Sequence, residues 1–283
     1  MNYCEYLPHL ELRPYVRCYI AIAELHNEVT QEHRFLPERS PKLGFYHGTS
    51  FFGELQGRLE PMPNGYLAGL STKPQRAISV GLTRALQVDF YPWGAVHLLS
   101  LKNGLYNTAY GADDLGVAKL ARVIKGLLSL GDFGGAIAEL EAWLLRRVRP
   151  LGMEMTPAIA AAVQLYRYNG QARVSDIADE VGLSRRQLER GFQKDVGIAP
   201  KPLAKLIRFE EAHNQIWLAP TRSLTELAFD LGYADQAHFT REFKSLAQLN
   251  PSEFARFTRA RINFSFPEVA KLETLEGLEQ KIA

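Results

Sequence analysis

One segment of the sequence occurs twice, about 50 residues apart. The stretch 174–183 aligns with 224–233 at a constant offset of 50, and four pairs carry the likeness: Ile177 with Leu227, Ala178 with Ala228, Val181 with Leu231 and Gly182 with Gly232. After one inserted residue the offset becomes 51, and it relates Leu188 to Phe239, Arg190 to Arg241, Phe192 to Phe243, Pro200 to Pro251 and Leu203 to Phe254. Two aligned copies predict that one small structural unit is built twice.

Each copy predicts a helix, a short turn and a second helix. A small residue, Ala178 or Ala228, lets the two helices approach closely, and Gly182 or Gly232 accepts the left-handed conformation that ends the first helix. Residues that can cap the helix N-termini are Ser175 and Ser184 in the first copy, and Asp235 with Ser223 or Thr225 in the second. The pattern therefore predicts two helix-turn-helix units.

The second helix of each unit has one apolar face. Leu188 and Phe192 stand four residues apart in the first copy, and so do Phe239 and Phe243 in the second. Since these side chains anchor the helix to its domain, the opposite face remains free to enter a DNA groove. The stretch 203–217, which joins the copies, is itself helical in its period.

The second copy resembles the signature of the AraC/XylS family of transcriptional regulators. The likeness lies in Gly-Tyr-Ala-Asp-Gln-Ala-His-Phe-Thr-Arg-Glu-Phe-Lys (232–244), in Asn-Pro-Ser-Glu-Phe-Ala-Arg (250–256) and in Arg-Phe-Glu-Glu-Ala (208–212). It covers about residues 160–260. The resemblance implies an all-α domain with two helix-turn-helix motifs, whose second helices enter successive major grooves on one face of DNA.

The sequence departs from the family pattern in places. Gln248 stands where a glycine is common, whereas the first copy keeps Gly197. Glu189 puts an acid on the first recognition helix, where a neutral or basic residue would sit more easily near phosphates. Glu242 is a second acid, which we expect to face away from DNA.

The resemblance and the apolar faces together predict which residues contact DNA. In the first copy they are Ser184, Arg185, Arg186, Glu189 and Arg190. In the second copy they are Gln236, Ala237, His238, Thr240 and Arg241, with Lys244 near phosphate. No residue is assigned a catalytic, cofactor-binding or metal-binding role.

The side chains at these positions suit base edges. Arginine makes two hydrogen bonds to guanine O6 and N7, Gln236 can make two to adenine, and Thr240 can contact a thymine methyl group. Glu189 either accepts from cytosine N4 or orients a neighbouring arginine. His238 either contacts DNA or is an ordinary surface histidine.

Residues 1–110 have a different sequence pattern, in which short apolar runs are separated by turns that contain glycine and proline. Clear apolar–polar alternation at 86–90 and the turn spacing predict a β-barrel or sandwich. The segments 12–19, 34–38 and 69–99 resemble the sensory domains that accompany such regulators. That resemblance implies an all-β cupin-like barrel followed by a helical hairpin.

The hairpin is expected within residues 111–155, together with a linker. Its second helix carries an apolar stripe at spacings of three, four and four: Ile137, Leu140, Leu144 and Val148. This stripe motivates the hypothesis that two copies of the chain form a homodimer. Arg146, Arg147 and Arg149 suit the negative end of the helix dipole, and a phosphate patch is the alternative.

The charge balance is nearly even. The chain has 283 residues, and its 33 basic and 31 acidic groups give a net charge of +2. By segment, net charge is +1 over 1–155, +3 over 156–262 and −2 over 263–283. Because no domain is strongly basic, we expect modest non-specific affinity and a greater reliance on base contacts.

Motifs for catalysis are missing from the N-terminal half. The sequence has no His-Glu-x-x-His, Gly-x-Ser-x-Gly, phosphate-binding loop or His-x-His pair, and its two cysteines cannot build a disulfide framework. We therefore expect no cofactor, no metal and no enzyme. The aromatic residues Phe45, Tyr46, Phe51, Phe52, Tyr91 and Trp93 line either an effector pocket or the barrel core.

The sequence thus predicts a cytoplasmic regulator of transcription that binds double-stranded DNA sequence-specifically. No apolar run approaches the ~18 residues of a membrane span, and the first residues do not predict a signal peptide. The expected domains are a sensory barrel (1–110), a hairpin and linker (111–155), a DNA-binding domain (156–262) and an acidic tail (263–283). A small effector or a homodimer would modulate DNA binding. A barrel enzyme fused to a DNA-binding domain and a non-specific architectural DNA binder are the alternatives.

Overall fold

The chain has a sheet-rich N-terminal half and a helical C-terminal half. The computed structural model describes residues 2–25, 31–55, 58–102, 104–151 and 155–259, so the expected acidic tail lies outside the described residues. The strands are β1 Asn2–Tyr6, β2 Val16–Leu25, β3 Gln31–Phe35, β4 Lys42–Leu55, β5 Arg58–Pro61, β6 Tyr66–Ala68, β7 Gln75–Phe90 and β8 Ala109–Tyr110. The helices are α1 Pro92–Leu98, α2 Ala118–Leu130, α3 Phe133–Leu151, α4 Pro157–Arg167, α5 Val174–Glu180, α6 Arg185–Gly191, α7 Pro200–Leu218, α8 Leu224–Asp230, α9 Gln236–Ala247 and α10 Pro251–Arg259.

Two long antiparallel strands, β4 and β7, form the middle of the sheet. The strand order is β1-β2-β7-β4-β6-β8, with β3 added to β7 and β5 added to β4. Alternate side chains of the central strands, among them Phe45, Leu86 and Val88, are fully buried on the core face. Among the described residues no pairing joins the two ends of this order. A closed cupin-like barrel is therefore not confirmed. The N-terminal half is rich in sheet but not all-β, because helix α1 follows β7.

The helical hairpin packs onto the sheet through its apolar stripe. Leu140 and Leu144 of α3 are fully buried within the chain, and Val148 is buried beside them. Arg84 of β7 donates to the carbonyl oxygens of Leu128 (3.1 Å) and Ser129 (2.9 Å) at the end of α2. The stripe is used inside the molecule, so it no longer supports the homodimer hypothesis, which would need another face.

The two repeats fold alike. Residues 171–180 and 221–230 have the same succession of buried and exposed positions, with Ile177 and Leu227 in the core. Helix α5 is followed by Gly182 at φ 69°, and α8 by Gly232 at φ 73°. Both glycines accept the left-handed turn that leads into the second helix. The repeat therefore forms two helix-turn-helix units, α5–α6 and α8–α9.

Side-chain caps fix the start of three of these helices. Ser184 and Gln187 form a capping box on α6, and Ser223 and Asp235 cap α8 and α9. Ser175 is not a cap, contrary to expectation. It lies inside the first turn of α5 and donates to Asp176, while the capping position is Arg173.

The two halves meet in a buried polar interface centred on Glu210 of α7. Its Oε1 lies 2.9 Å from Nε of Arg39 and 3.8 Å from Nη1 of Arg17, and its Oε2 accepts from the Arg39 backbone N–H (2.8 Å). The Tyr166 hydroxyl of α4 donates to the Arg39 carbonyl (2.6 Å). Burial acts to raise the pKa of Glu210, but Arg39 and Arg17 hold it at about 2. Glu210 is therefore ionised, and it binds the N-terminal half to the helix that joins the repeats.

A backbone contact adds to this interface. The Leu105 N–H donates to the carbonyl of Gly197 (2.8 Å), which adopts φ 77° after the first helix-turn-helix unit. A Cβ atom at Gly197 would lie 2.8 Å from Val96 of α1. Glycine is thus required there both for its backbone conformation and for the close approach of the N-terminal half.

Candidate nucleic-acid interface

The first recognition helix, α6, presents a charged face to solvent. Leu188 and Phe192 are fully buried beneath it, as their spacing predicts. The residues predicted to contact DNA are all exposed on this short helix or at its cap: Ser184, Arg185, Arg186, Glu189 and Arg190. The structure therefore places all five on one accessible surface, and their contact with DNA stays a prediction.

An ion pair within α6 bears on the role of Glu189. Arg185 Nε donates to Glu189 Oε1 at 3.1 Å, one turn apart and largely exposed. This arrangement favours the alternative in which Glu189 orients an arginine. Among the described residues, neither Arg186 nor Arg190 forms an ion pair, so both guanidinium groups keep their donors for an external partner.

The second recognition helix, α9, has the same construction. Asp235 accepts from the His238 backbone N–H (2.6 Å), and Phe239 and Phe243 are buried below. Four predicted contact residues are exposed: Gln236, Ala237, Arg241 and Lys244. The other two, His238 and Thr240, are half-buried.

Two side chains of α9 are positioned by neighbours. The Thr225 hydroxyl donates to Gln236 Oε1 at 2.7 Å, which leaves both amide N–H bonds and one oxygen lone pair free. Those are the groups that a two-bond contact with adenine requires. The His238 ring packs edge-on against Tyr233 with the centroids 5.3 Å apart, so His238 also has a packing role.

Glu242 is turned into the domain. Its carboxylate accepts two hydrogen bonds of 3.1 Å from Arg208 Nη2 and one of 2.8 Å from the Tyr233 hydroxyl. Arg208 also donates to the Gly170 carbonyl at 2.9 Å. These contacts tie α9 to α7 and to the turn before α5, the helix that begins the first unit.

Between the two units lies a groove that the sequence did not predict. It has a volume of about 650 Å³ and is lined by Tyr106 of the N-terminal half, the start of α5, the start of α6, α7 and Glu242 of α9. Arg173, Lys201 and Lys205 line it. They fall outside the matched positions of the repeats. The only signal in the sequence was basic residues at 201, 205 and 208, which the helical period places on one face of α7.

The aromatic residues of the predicted set whose side chains the structure describes do not gather around one site. Phe45 is in the sheet core, whereas Tyr91 and Trp93 stack at 4.7 Å and meet Tyr166 of α4 edge-on. Tyr46 is half-buried on β4, and the side chains of Phe51 and Phe52 lie outside the description. The aromatic set thus belongs partly to the core and partly to the interface between halves.

The described ranges contain neither a cluster of metal-binding side chains nor a helix suited to a membrane. No group of three or more His, Cys, Asp and Glu side chains lies close enough together there to hold a metal ion. None of the helices in those ranges combines the length and the apolar character that crossing a membrane requires.

Family comparisons divide the chain in the same way as the structure. Residues 177–256 match the sequence model of a helix-turn-helix domain, which is of the AraC/XylS type. Residues 4–108 match a domain of unknown function, DUF6597. The first match contains both recognition helices.

Curated relatives align with a short part of the chain. A probable thc operon regulatory protein of Rhodococcus erythropolis is 34% identical over 85 residues, which are 29% of this chain and 26% of that protein. The msm operon regulatory protein of Streptococcus mutans is 28% identical over 90 residues, 32% of each. The lactose operon transcription activator of Staphylococcus xylosus is 26% identical over 87 residues, 31% of each. The matched part thus spans a third or less of these relatives.

Two bacterial proteins of known structure align with this chain. ToxT from Vibrio cholerae aligns over 85% of this chain and 98% of its own, with 14% identity and a TM-score of 0.44. A transcriptional regulator with an AraC-type DNA-binding domain, from Chromobacterium violaceum, aligns over 36% of this chain and 92% of its own, with 28% identity and a TM-score of 0.32.

Proposed function

Because residues 177–256 form a helix-turn-helix domain of the AraC/XylS type, we propose that the chain is a sequence-specific DNA-binding regulator of transcription. Both helix-turn-helix units would bind one double-stranded DNA, with α6 and α9 in successive major grooves. The regulatory names of the curated relatives support this proposal.

The observation that carries the proposal is the matching construction of α6 and α9. Each helix is capped at its start and buries two apolar side chains four residues apart. Each also leaves an arginine exposed at the equivalent position, Arg190 or Arg241. Surface arginines alone are common, but two equivalent ones on two equivalent helices suit a partner that repeats along its length, as DNA does.

We further propose that the N-terminal half modulates DNA binding. Glu210, held by Arg39 and Arg17, lies on α7, which also carries Arg208 and its contacts to α9 and to the turn before α5. A small effector or a homodimer contact that moved β2 or the segment holding Arg39 would act on that helix. Such a coupling requires that the effector bind the two arrangements of the halves with different affinity.

The sheet-rich half would serve as the sensory domain, in the cupin-like manner that its resemblance implies. In this proposal the protein acts in the cytoplasm and needs no cofactor. The competing functions are a barrel enzyme fused to a DNA-binding domain and an architectural protein that binds DNA without sequence preference.

Selection of bound fragments from random DNA by the full chain tests the proposal. A regulator should enrich one motif and discriminate against unrelated sequence, typically by 10³-fold or more. Binding whose affinity falls with salt equally for every sequence would instead indicate an architectural binder. No DNA binding at all would contradict the proposal and favour a function confined to the N-terminal half.

A further inference from the structure

The groove between the two helix-turn-helix units has an unbalanced positive lining. Its cationic side chains come from the segment before α5, from the start of α6 and from α7. The one carboxylate in its lining, Glu242, is already held by Arg208 and by Tyr233. The charge of that carboxylate is therefore neutralised within the protein.

Three of the remaining cations have no carboxylate partner among the residues described. Arg173 and Lys201 are exposed, and Lys205 donates only to the neutral hydroxyl of Ser245, at 2.8 Å. Arg185 also lines the groove, but it is paired with Glu189 at 3.1 Å. Cations gathered without counter-charges repel one another, and an anion bound between them would relieve that repulsion.

The position of the groove limits what that anion can be. Arg185, which begins the first recognition helix, lines the groove together with Lys201 and Lys205 of α7, the helix that joins the two units. The groove therefore adjoins the first predicted base-contacting face and extends along the connection to the second unit. A duplex whose major grooves received α6 and α9 would carry its sugar–phosphate backbone across the space between them. The anions in that space would be backbone phosphates. Contacts to phosphates set the register of a protein on its DNA without depending on the base sequence.

We propose that this groove is a phosphodiester-binding site for the DNA segment between the two half-sites, with Arg173, Lys201 and Lys205 as its contacts. The inference rests on the proposed function, because it takes DNA as the ligand. It adds a sequence-independent surface to the two recognition helices. Lys201 and Lys205, one turn apart on α7, would each neutralise one phosphate.

The test is the salt dependence of DNA affinity for the full chain carrying Lys201→Gln and Lys205→Gln together. The probe is a fragment selected by the unmodified protein, alongside an unrelated duplex of equal length. Since each phosphate contact contributes about 0.9 to the slope of log affinity against log salt, the slope should fall by about 2. The same relation predicts an affinity loss of about 30-fold at 0.15 M salt, equal for both duplexes.

A matched control is Lys119→Gln with Lys125→Gln, two exposed lysines on α2. It removes the same charge from the N-terminal half and should leave the slope unchanged. The inference is overturned if the groove variant keeps the original slope, if the control lowers the slope equally, or if the groove variant loses discrimination between the duplexes. Thermal unfolding of both variants checks that they fold. If the unmodified chain bound no DNA, the proposed function itself would fail, which is a distinct outcome.

Discussion

At the residue scale, the repeat predicted well which side chains are buried and which are exposed. Leu188, Phe192, Phe239 and Phe243 are buried because their four-residue spacing puts each pair on one helix face. Contacts between distant residues were not predictable in this way. Arg208, for example, meets Glu242 from 34 positions away, and nothing in the local pattern pairs them.

Replacing Arg190 with alanine tests the predicted base contacts directly. Arg190 is exposed on α6 and forms no ion pair with any residue that the structure describes, so the fold should tolerate its loss. One lost two-bond contact to guanine should lower affinity for the selected fragment by about 1–3 kcal/mol and reduce sequence preference. Titration of fluorescent duplexes measures both effects.

The matched control is Arg122→Ala, which removes an exposed arginine from α2. It should leave both affinity and preference as they were. Unchanged affinity and an unchanged salt slope for the Arg190 variant would show that Arg190 does not contact the DNA.

At the element scale, the existence of the helices was easier to predict than the extent of the strands. The sequence shows separate apolar runs at 76–80 and 86–91, yet the structure has a single strand, β7. Gly81, at φ 74°, lies in this strand where the β4–β7 register shifts, with Gly48 opposite Thr83 and Ser50 opposite Val80. A glycine can bend a strand without ending it. In the sequence alone, such a glycine looks like the start of a turn.

The end of α9 gives a prediction about helix termination. Gln248 adopts φ 58° after this helix, the left-handed position that Gly197 occupies in the first copy. Because side chains strain this conformation, Gln248→Gly should raise the free energy of unfolding by about 1 kcal/mol. Urea denaturation at constant pH measures the change.

Gln193→Gly is the corresponding control. Gln193 is also exposed but has helical backbone geometry, so glycine there should lower stability by about 1 kcal/mol. If both variants were destabilised, the left-handed strain assigned to Gln248 would be absent.

At the scale of the whole molecule, the chief feature is the buried interface around Glu210. Its partners Arg39 and Arg17 lie 171 and 193 positions earlier, and no local pattern pairs residues that far apart. The two-domain division was predictable from composition and from the repeat. The way in which the domains dock was not, because docking depends on side chains that carry no periodic signal.

Removing the charge of Glu210 should weaken this docking. In Glu210→Gln, Arg39 and Arg17 keep their buried charges but lose the carboxylate, which typically costs about 3–5 kcal/mol. The free energy of unfolding should therefore fall. Backbone hydrogen exchange should become faster in α7 and around residues 34–42. The exposed Glu180, substituted in the same way, is the control. Equal losses for the two variants would mean that Glu210 does not hold the halves together.

His213, one turn along α7 from Glu210, predicts a dependence of stability on pH. Burial lowers its pKa to about 4 from an ordinary value of 6.5, and its ring packs against Phe209 and Phe254. The folded state favours the neutral ring, so the contribution of His213 to the free energy of unfolding is fully present above about pH 6.5. It is lost as the pH falls toward 4, which lowers the free energy of unfolding by up to about 3 kcal/mol.

A comparison with His213→Leu isolates this contribution. The variant lacks the titrating ring, so its stability relative to the unmodified chain should rise as the pH falls through that window. A constant difference between pH 7 and pH 4 would show that His213 titrates alike in the folded and unfolded chain.

The central claim is that the two helix-turn-helix units act as one rigid pair on a single face of DNA. It is tested most directly by the affinity of the full chain for its selected fragment before and after insertion of five base pairs between the half-sites. A half turn of DNA rotates one half-site to the opposite face, since successive major grooves recur about every 10.5 base pairs. Arg208 bridges α9 and the turn before α5, so the second unit should be unable to rotate with the displaced half-site. We predict that affinity falls to that of a fragment with one half-site, whereas unchanged affinity after the insertion would contradict the claim.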